Sequence, residues 1–302
     1  MHVLVTGATG FVGGRLVALL VDAGHEVTTL VRDAGRYDPP AGVRVVEGDL
    51  LDPPSYADAL DVDVAYYLVH SMAARDDFAA RDRRAAAGFA RAASEAGVER
   101  VIYLGGLGED RDRLSTHLRS RREVERVLAT GTYTLTTLRA AIIVGAGSTG
   151  FETIRQLATR LPVMVTPRWV RTPCQPIAVD DALAYLVGVL GVPETAGETY
   201  EIGGPEVLTY AEMLRRTGRH LGREPIVLTV PVLTPWLSAY WVGLMTDVPL
   251  RVARPLIAGL RNPVVVTDDR LRDLVPVEPT PFDEAVRRAL SGEGPRADAA
   301  GA

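Results

Sequence analysis

Residues 3–13 read Val3-Leu4-Val5-Thr6-Gly7-Ala8-Thr9-Gly10-Phe11-Val12-Gly13: a short apolar, β-branched run that breaks into three glycines, each three positions from the next. Beyond them Leu16, Leu19, Leu20 and Ala23 recur at helical spacing up to Gly24, a residue suited to a left-handed helix cap. A strand, a glycine turn and a helix in that order give each glycine its own task. Gly7 allows the tight turn, Gly10 lets the backbone approach a pyrophosphate, and Gly13 lets the helix lie against the strand. The helix amino terminus then offers unpaired N–H groups and partial positive charge to the phosphates. Glycines so spaced can also do no more than pack a helix on a strand, but the flanking strand and helix favour a dinucleotide site. Gly7, Thr9, Gly10, Phe11, Val12 and Gly13 are its expected first contacts.

The end of the second strand selects the dinucleotide. An NAD(H) site places a carboxylate there to hold the adenosine ribose. Here the chain reads Leu30-Val31-Arg32-Asp33. An apolar tip followed by Arg32, with Arg36 behind it, suits a 2′-phosphate and so NADP(H) before NAD(H). In the other reading Arg32 is a solvated loop residue and Asp33 takes the ribose, which would admit NAD(H).

Outward from this unit, β-branched runs alternate with helical patterns. Strands are expected at 3–6, 26–31, 43–46, 64–69, 101–105 and 135–144, and helices at 11–23, 53–60, 76–96 and 115–129. This is the pattern of an α/β fold, a Rossmann-like parallel sheet flanked by helices. After Gly150 the regularity fades, and Pro162, Pro167, Pro173 and Pro176 divide what reads as a loop-rich excursion. A helix at 180–190 and a strand at 198–202 return to the sheet, and helices follow at 209–221, 235–244 and 249–260. The expected organisation is a dinucleotide-binding domain over 1–150, completed by 175–204, and a smaller carboxyl-terminal substrate domain from 151–174 and 205–290. A disordered tail is expected over 291–302.

Composition removes several classes of function. A net charge of −5 over 302 residues provides no basic surface for a phosphate backbone, so nucleic acid is not an expected partner. A lone cysteine, Cys174, excludes an internal disulfide and a thiolate zinc site, and no metal is expected. The reducing context, an amino terminus without a basic-then-apolar leader and no apolar run of transmembrane length lead us to expect a cytoplasmic protein. All 33 basic residues are arginine.

The glycine motif, together with Gly48-Asp49-Leu50 after the third strand, resembles the short-chain dehydrogenase/reductase superfamily, its extended and atypical members above all. The likeness covers residues 1 to about 145. Later echoes are Leu138-Arg139-Ala140, Gln175 through Asp181, and Tyr200-Glu201-Ile202-Gly203-Gly204-Pro205. Tyr66 through Met72, Tyr103 through Gly108 and Leu161-Pro162-Val163-Met164 are similar to the atypical branch that holds NmrA-like regulators and the NADPH-binding accessory subunit of respiratory complex I. The resemblance implies that Asp49 and Leu50 lie along the adenine, and it adds Val69 and Gly105 to the cofactor contacts.

Classical members of that superfamily use a Ser and a Tyr, with a Lys four residues after the Tyr. The lysine's charge lowers the tyrosine pKa so that its hydroxyl can exchange a proton with substrate. This chain has no lysine, and Gly105-Gly106 stands where the serine would be. The helix that would carry the Tyr and Lys reads Ser115-Thr116-His117-Leu118-Arg119-Ser120-Arg121. His117 and Arg121 keep the four-residue spacing and share a helical face, where histidine can donate a proton and arginine can hold a ribose hydroxyl. The segment also reads as an exposed basic helix, with five arginines between 113 and 126. His70, with Ser71, at the carboxyl end of the fourth strand is a second catalytic candidate, and Tyr103 is held behind it. Leu233, Trp236, Leu237, Tyr240, Trp241, Leu244 and Met245 recur on helical faces. They suit a core, an apolar substrate wall, a partner interface or a membrane surface. The expected function is an atypical reductase passing hydride from NADPH to an apolar carbonyl, enone or quinone-like acceptor. The alternative is a non-catalytic NADPH-binding redox sensor, or an accessory subunit of a membrane complex.

Overall fold

The computed structural model describes residues 1–70, 78–108, 114–230, 245–247 and 258–292. The first 140 residues contain β1 (His2–Thr6), α1 (Phe11–Asp22), β2 (Glu26–Val31), β3 (Arg44–Glu47), β4 (Val64–Tyr67), α2 (Phe78–Ala96), β5 (Arg100–Gly106), α3 (Thr116–Leu128) and β6 (Thr134–Ala140). Next come β7 (Ile143–Val144), α4 (Thr149–Arg160), β8 (Val163–Pro167), β9 (Pro173–Cys174), β10 (Ile177–Ala178), α5 (Val179–Gly188) and β11 (Thr199–Ile202). The chain then forms β12 (Leu208–Thr209), α6 (Tyr210–His220), β13 (Ile226–Val230), α7 (Leu271–Leu274) and α8 (Phe282–Ser291).

Seven strands form one parallel sheet in the order β11-β6-β5-β4-β1-β2-β3. Alternation along β1 explains its layers. Val3 and Val5 point into the core beneath α1 and α5, and Leu4 into the core beneath α2. The strand order reverses at β1, so the carboxyl ends of β1 and β4 open the crevice where sheets of this kind take ligands. Gly24 and Gly97, both with left-handed backbone, close α1 and α2 as expected.

A third core gathers Phe151 and Ile154 of α4, Met164 of β8, Met213 and Leu214 of α6, and Phe282 and Val286 of α8. Thr209 and Glu212 form a capping box on α6. Arg216 binds both Glu206 and Asp283 and fastens α8 to α6.

Several expectations need correction. The strand expected at 135–144 is two strands: β6 ends at Ala140, and Ile143–Val144 leaves the sheet to pair with β10. The helix expected at 53–60 is a 3₁₀ segment, Pro53–Ala59, kinked at Tyr56, because two prolines at its start remove backbone donors. The supposed loop after Gly150 holds a full helix, α4, capped by Ser148, and the strand β8. β8 pairs in parallel with β13, which the sequence reading did not place. The last helix runs through Ser291 and closes on left-handed Gly292. The remainder of the expected tail, Ser71, and the stripe from Leu233 to Leu244 lie outside the described residues. No helix among the described residues is long and apolar enough to cross a membrane.

Candidate functional site

The glycine turn is built as its spacing requires. Gly7 takes φ +75°, and a Cβ there would lie 3.1 Å from the Leu68 carbonyl. Gly13 meets the turn so closely that a Cβ would fall 2.2 Å from the Gly7 carbonyl oxygen. The Gly10 N–H donates to that same oxygen at 2.9 Å, and Gly10 caps α1 with no side chain over it and no acid in the first turn. Thr9 and Gly10 are exposed. The N–H groups of Phe11, Val12 and Gly13 form the first turn of α1, where no intrahelical acceptor serves them, a cradle with the chemistry a pyrophosphate needs.

Phe11 turns its ring inward against Gly145, where a Cβ would meet it at 2.9 Å, so its backbone is the part left for a ligand. Sequence reading missed Arg15, one turn further along α1. Its guanidinium donates to the Phe11 and Ala146 carbonyls, each at 2.8 Å, and lies 4.7 Å over the Phe11 ring, strapping the turn to the loop after β7. Thr6 was also missed. It donates to the Tyr66 carbonyl at 3.0 Å and accepts from the Leu68 N–H, fixing the path that carries Val69 and His70 past Gly7. A buried threonine at a strand end gives no sequence signal for such a role.

Beyond β2, Arg32 is exposed and makes no hydrogen bond or ion pair with a described residue. Asp33 is engaged: one oxygen accepts the Gly35 N–H at 3.1 Å and the other pairs with Arg36 at 3.2 Å. Arg32 thus presents an uncommitted guanidinium, and Arg36 a partly neutralised one. Asp49 accepts from the Leu51 N–H at 3.0 Å and lies 3.8 Å from Arg81, while Leu50 is buried beside Leu30 and Tyr56. Gly105 faces Thr137 and Arg139 of β6. A Cβ on its neighbour Gly106 would lie 3.2 Å from the Leu118 side chain of α3, so the glycine lets α3 close on the end of β5.

That approach brings two sequence candidates together. The His70 and His117 rings lie 6.0 Å apart, centre to centre, inclined by 59°. His70 is open to solvent and His117 is half-buried. Burial, then the Arg121 guanidinium, hold both imidazoles well below their ordinary value, so each is neutral at physiological pH. Arg121 donates to the Leu104 carbonyl at 2.7 Å and lies 5.9 Å over the Tyr103 ring. Tyr103 itself is buried, and its hydroxyl donates to the Arg121 carbonyl at 3.1 Å.

Two further contacts hold α3. Glu125 receives Arg139 at 3.1 Å and pairs with buried Arg122 at 3.7 Å. The buried side chain of Asn262 accepts the Ser115 N–H at 3.1 Å, joining the helix start to the smaller lobe. Gln175, within the stretch 175–181, bridges the Gly204 carbonyl and the Val266 N–H at 2.8 and 2.9 Å. Asp181 is buried and accepts from both the backbone and the side chain of Thr280. No group of His, Cys, Asp and Glu among the described residues could hold a metal ion.

A family model described as NAD(P)H-binding matches residues 7–167. The chain is 29% identical over 276 residues to a Streptomyces 3-diazoavenalumate denitrifying reductase, spanning 80% of this chain and 88% of that protein. It is 25% identical over 283 residues to the Arabidopsis thaliana mitochondrial NADH dehydrogenase (ubiquinone) 1 alpha subcomplex subunit 9, spanning 88% and 70%. Among solved structures, the Citrobacter sp. triphenylmethane reductase complexed with NADP(H) superposes with a TM-score of 0.77 at 20% identity, covering 96% of this chain and all of that one.

Proposed function

Since the chain belongs to the NAD(P)H-binding family that matches residues 7–167, we propose that it is a reductase using NADPH to reduce an apolar carbonyl, enone or quinone-like acceptor. The observation that carries this reading is the pair of neutral imidazoles, His70 and His117, at the carboxyl ends of the sheet beside the glycine turn. NADPH, when bound, supplies the hydride. Gly7, Gly10 and the first-turn N–H groups of α1 would hold its pyrophosphate, Arg32 with Arg36 its 2′-phosphate, and Val69 its nicotinamide side.

The acceptor gains a hydride at carbon and a proton at oxygen or at the conjugated carbon. His117 is the donor, because it stands where the superfamily's tyrosine would. As a neutral imidazole it polarises the acceptor oxygen through its N–H, and as that proton passes to oxygen its second ring nitrogen takes one from water, which reaches the site beside exposed His70, so that no imidazolate is left. Burial, and then repulsion by Arg121, keep the pair neutral beforehand. The likeness to a denitrifying reductase supports this reading.

NADPH oxidation with a panel of enones and quinones tests it. His117→Phe should lower kcat by roughly 100-fold with NADPH affinity nearly unchanged. Arg121→Ala should weaken cofactor binding as well as turnover. Full activity in His117→Phe would refute the donor role. The likeness to the complex I subunit favours a second reading, a non-catalytic NADPH-binding accessory protein. Tight NADPH binding with no consumption across the panel, and stable association with a large partner, would establish that reading instead.

A further inference from the structure

The ribbon formed by β8 and β13 has two unlike faces. Met164 and Val227 point into the third core, and the ribbon joins no other strand among the described residues. On the outer face Val163 pairs in register with Ile226, and Val165 with Leu228. These four side chains are 48%, 57%, 58% and 50% exposed respectively for Val163, Ile226, Val165 and Leu228. They are four of the seven large apolar residues exposed among the described residues, and the register of the two strands gathers them on one face.

Charge at the same place runs against the rest of the chain. From Gly150 to Cys174 there are four arginines and one acid, Glu152, in a protein of net charge −5. Arg168 and Arg171 follow β8 directly, both exposed, and neither is paired with a described residue. We propose that the outer face of the β8/β13 ribbon seats the protein on an anionic membrane surface, with Val163, Val165, Ile226 and Leu228 entering the headgroup region and Arg168 and Arg171 meeting lipid phosphates.

Size and charge choose this occupant. A stable dimer buries about 800 Å² on each partner, whereas four half-exposed side chains offer a few hundred at most. Shallow apolar insertion flanked by unpaired arginines is sufficient for peripheral membrane binding. The proposal stands independently of the reductase reading.

Co-sedimentation of the full chain with phosphatidylcholine vesicles, with and without phosphatidylglycerol, tests it. Wild type should sediment with the anionic vesicles and be released by salt. Val165→Asp/Leu228→Asp should bind them roughly tenfold more weakly or worse, and Arg168→Gln/Arg171→Gln, at about 1 kcal/mol per arginine, should lose roughly 30-fold and the preference for anionic lipid. Unchanged NADPH affinity and melting temperature certify the fold, and Val165→Ser/Leu228→Ser serves if the aspartates unfold it. Wild type left in the supernatant, or variants that sediment equally, would overturn the proposal. So would a wild-type dimer in light scattering that the variants dissociate without any effect of lipid, since the face would then belong to a second copy.

Discussion

Replacing Gly13 with alanine places a methyl group 2.2 Å from the Gly7 carbonyl oxygen and 2.8 Å from its carbon. Both are backbone atoms, so no side-chain rotation relieves the overlap. Normal heavy-atom contact lies near 3.5 Å, so the start of α1 must withdraw from the turn by about 1 Å. Two costs follow. Overpacking of this kind destabilises a fold by about 1–3 kcal/mol. The first-turn N–H groups also leave hydrogen-bonding distance of the phosphate oxygens they would serve, and losing one or two charge-assisted bonds costs about 3 kcal/mol. Gly13→Ala should therefore bind NADPH roughly 100-fold more weakly and melt several degrees lower. Gly14→Ala is the control. Its methyl would lie 3.2 Å from the Ala8 oxygen, a strain of tenths of an ångström, offset by the helix preference for alanine. Fluorescence titration of NADPH and thermal melts on both variants measure the contrast. If Gly13→Ala keeps NADPH affinity within about threefold of wild type, the cradle is not where we place it.

Arg32→Asp should abolish the preference for NADPH over NADH, measured by titrating both cofactors; equal affinities in the wild type would remove the 2′-phosphate assignment. Stability should fall on acidification. Burial, then Arg121, hold the folded His117 down to about 3, so below pH 6.5 the unfolded chain binds a proton that the native protein does not. The penalty is absent above pH 6.5 and grows as pH drops toward 3, by up to about 1.4 kcal/mol per unit. His70 adds less because solvent screens it. His117→Phe should flatten the slope in chemical melts. Gln175→Leu strands the Gly204 carbonyl and the Val266 N–H, and should cost about 2–4 kcal/mol in urea denaturation; a loss below 1 kcal/mol would mean that water replaces the amide.

Residues 1–140 were legible because each strand there pairs with neighbours that carry the same apolar signal, and because Gly24 and Gly97 mark helix ends by conformation alone. The smaller lobe was not. Ile226–Val230 has one partner, Val163–Pro167, some sixty residues earlier, so nothing local distinguishes it from a loop. The close packing of the glycine turn could be read from spacing, since the Gly-x-x-Gly-x-x-Gly interval is itself a statement of geometry. The straps from Arg15 to Ala146 and from Thr6 to Leu68 join segments that only folding brings together.

The bond from the Ser115 N–H to Asn262 ties the first turn of α3, and with it His117, to the segment that also pairs Val264 with Cys174. That helix is therefore fixed at both ends, to Asn262 at its start and to Arg139 of the sheet through Glu125 further along, so the place of His117 depends on a contact made by a residue more than a hundred positions away in the chain as well as on its own helix.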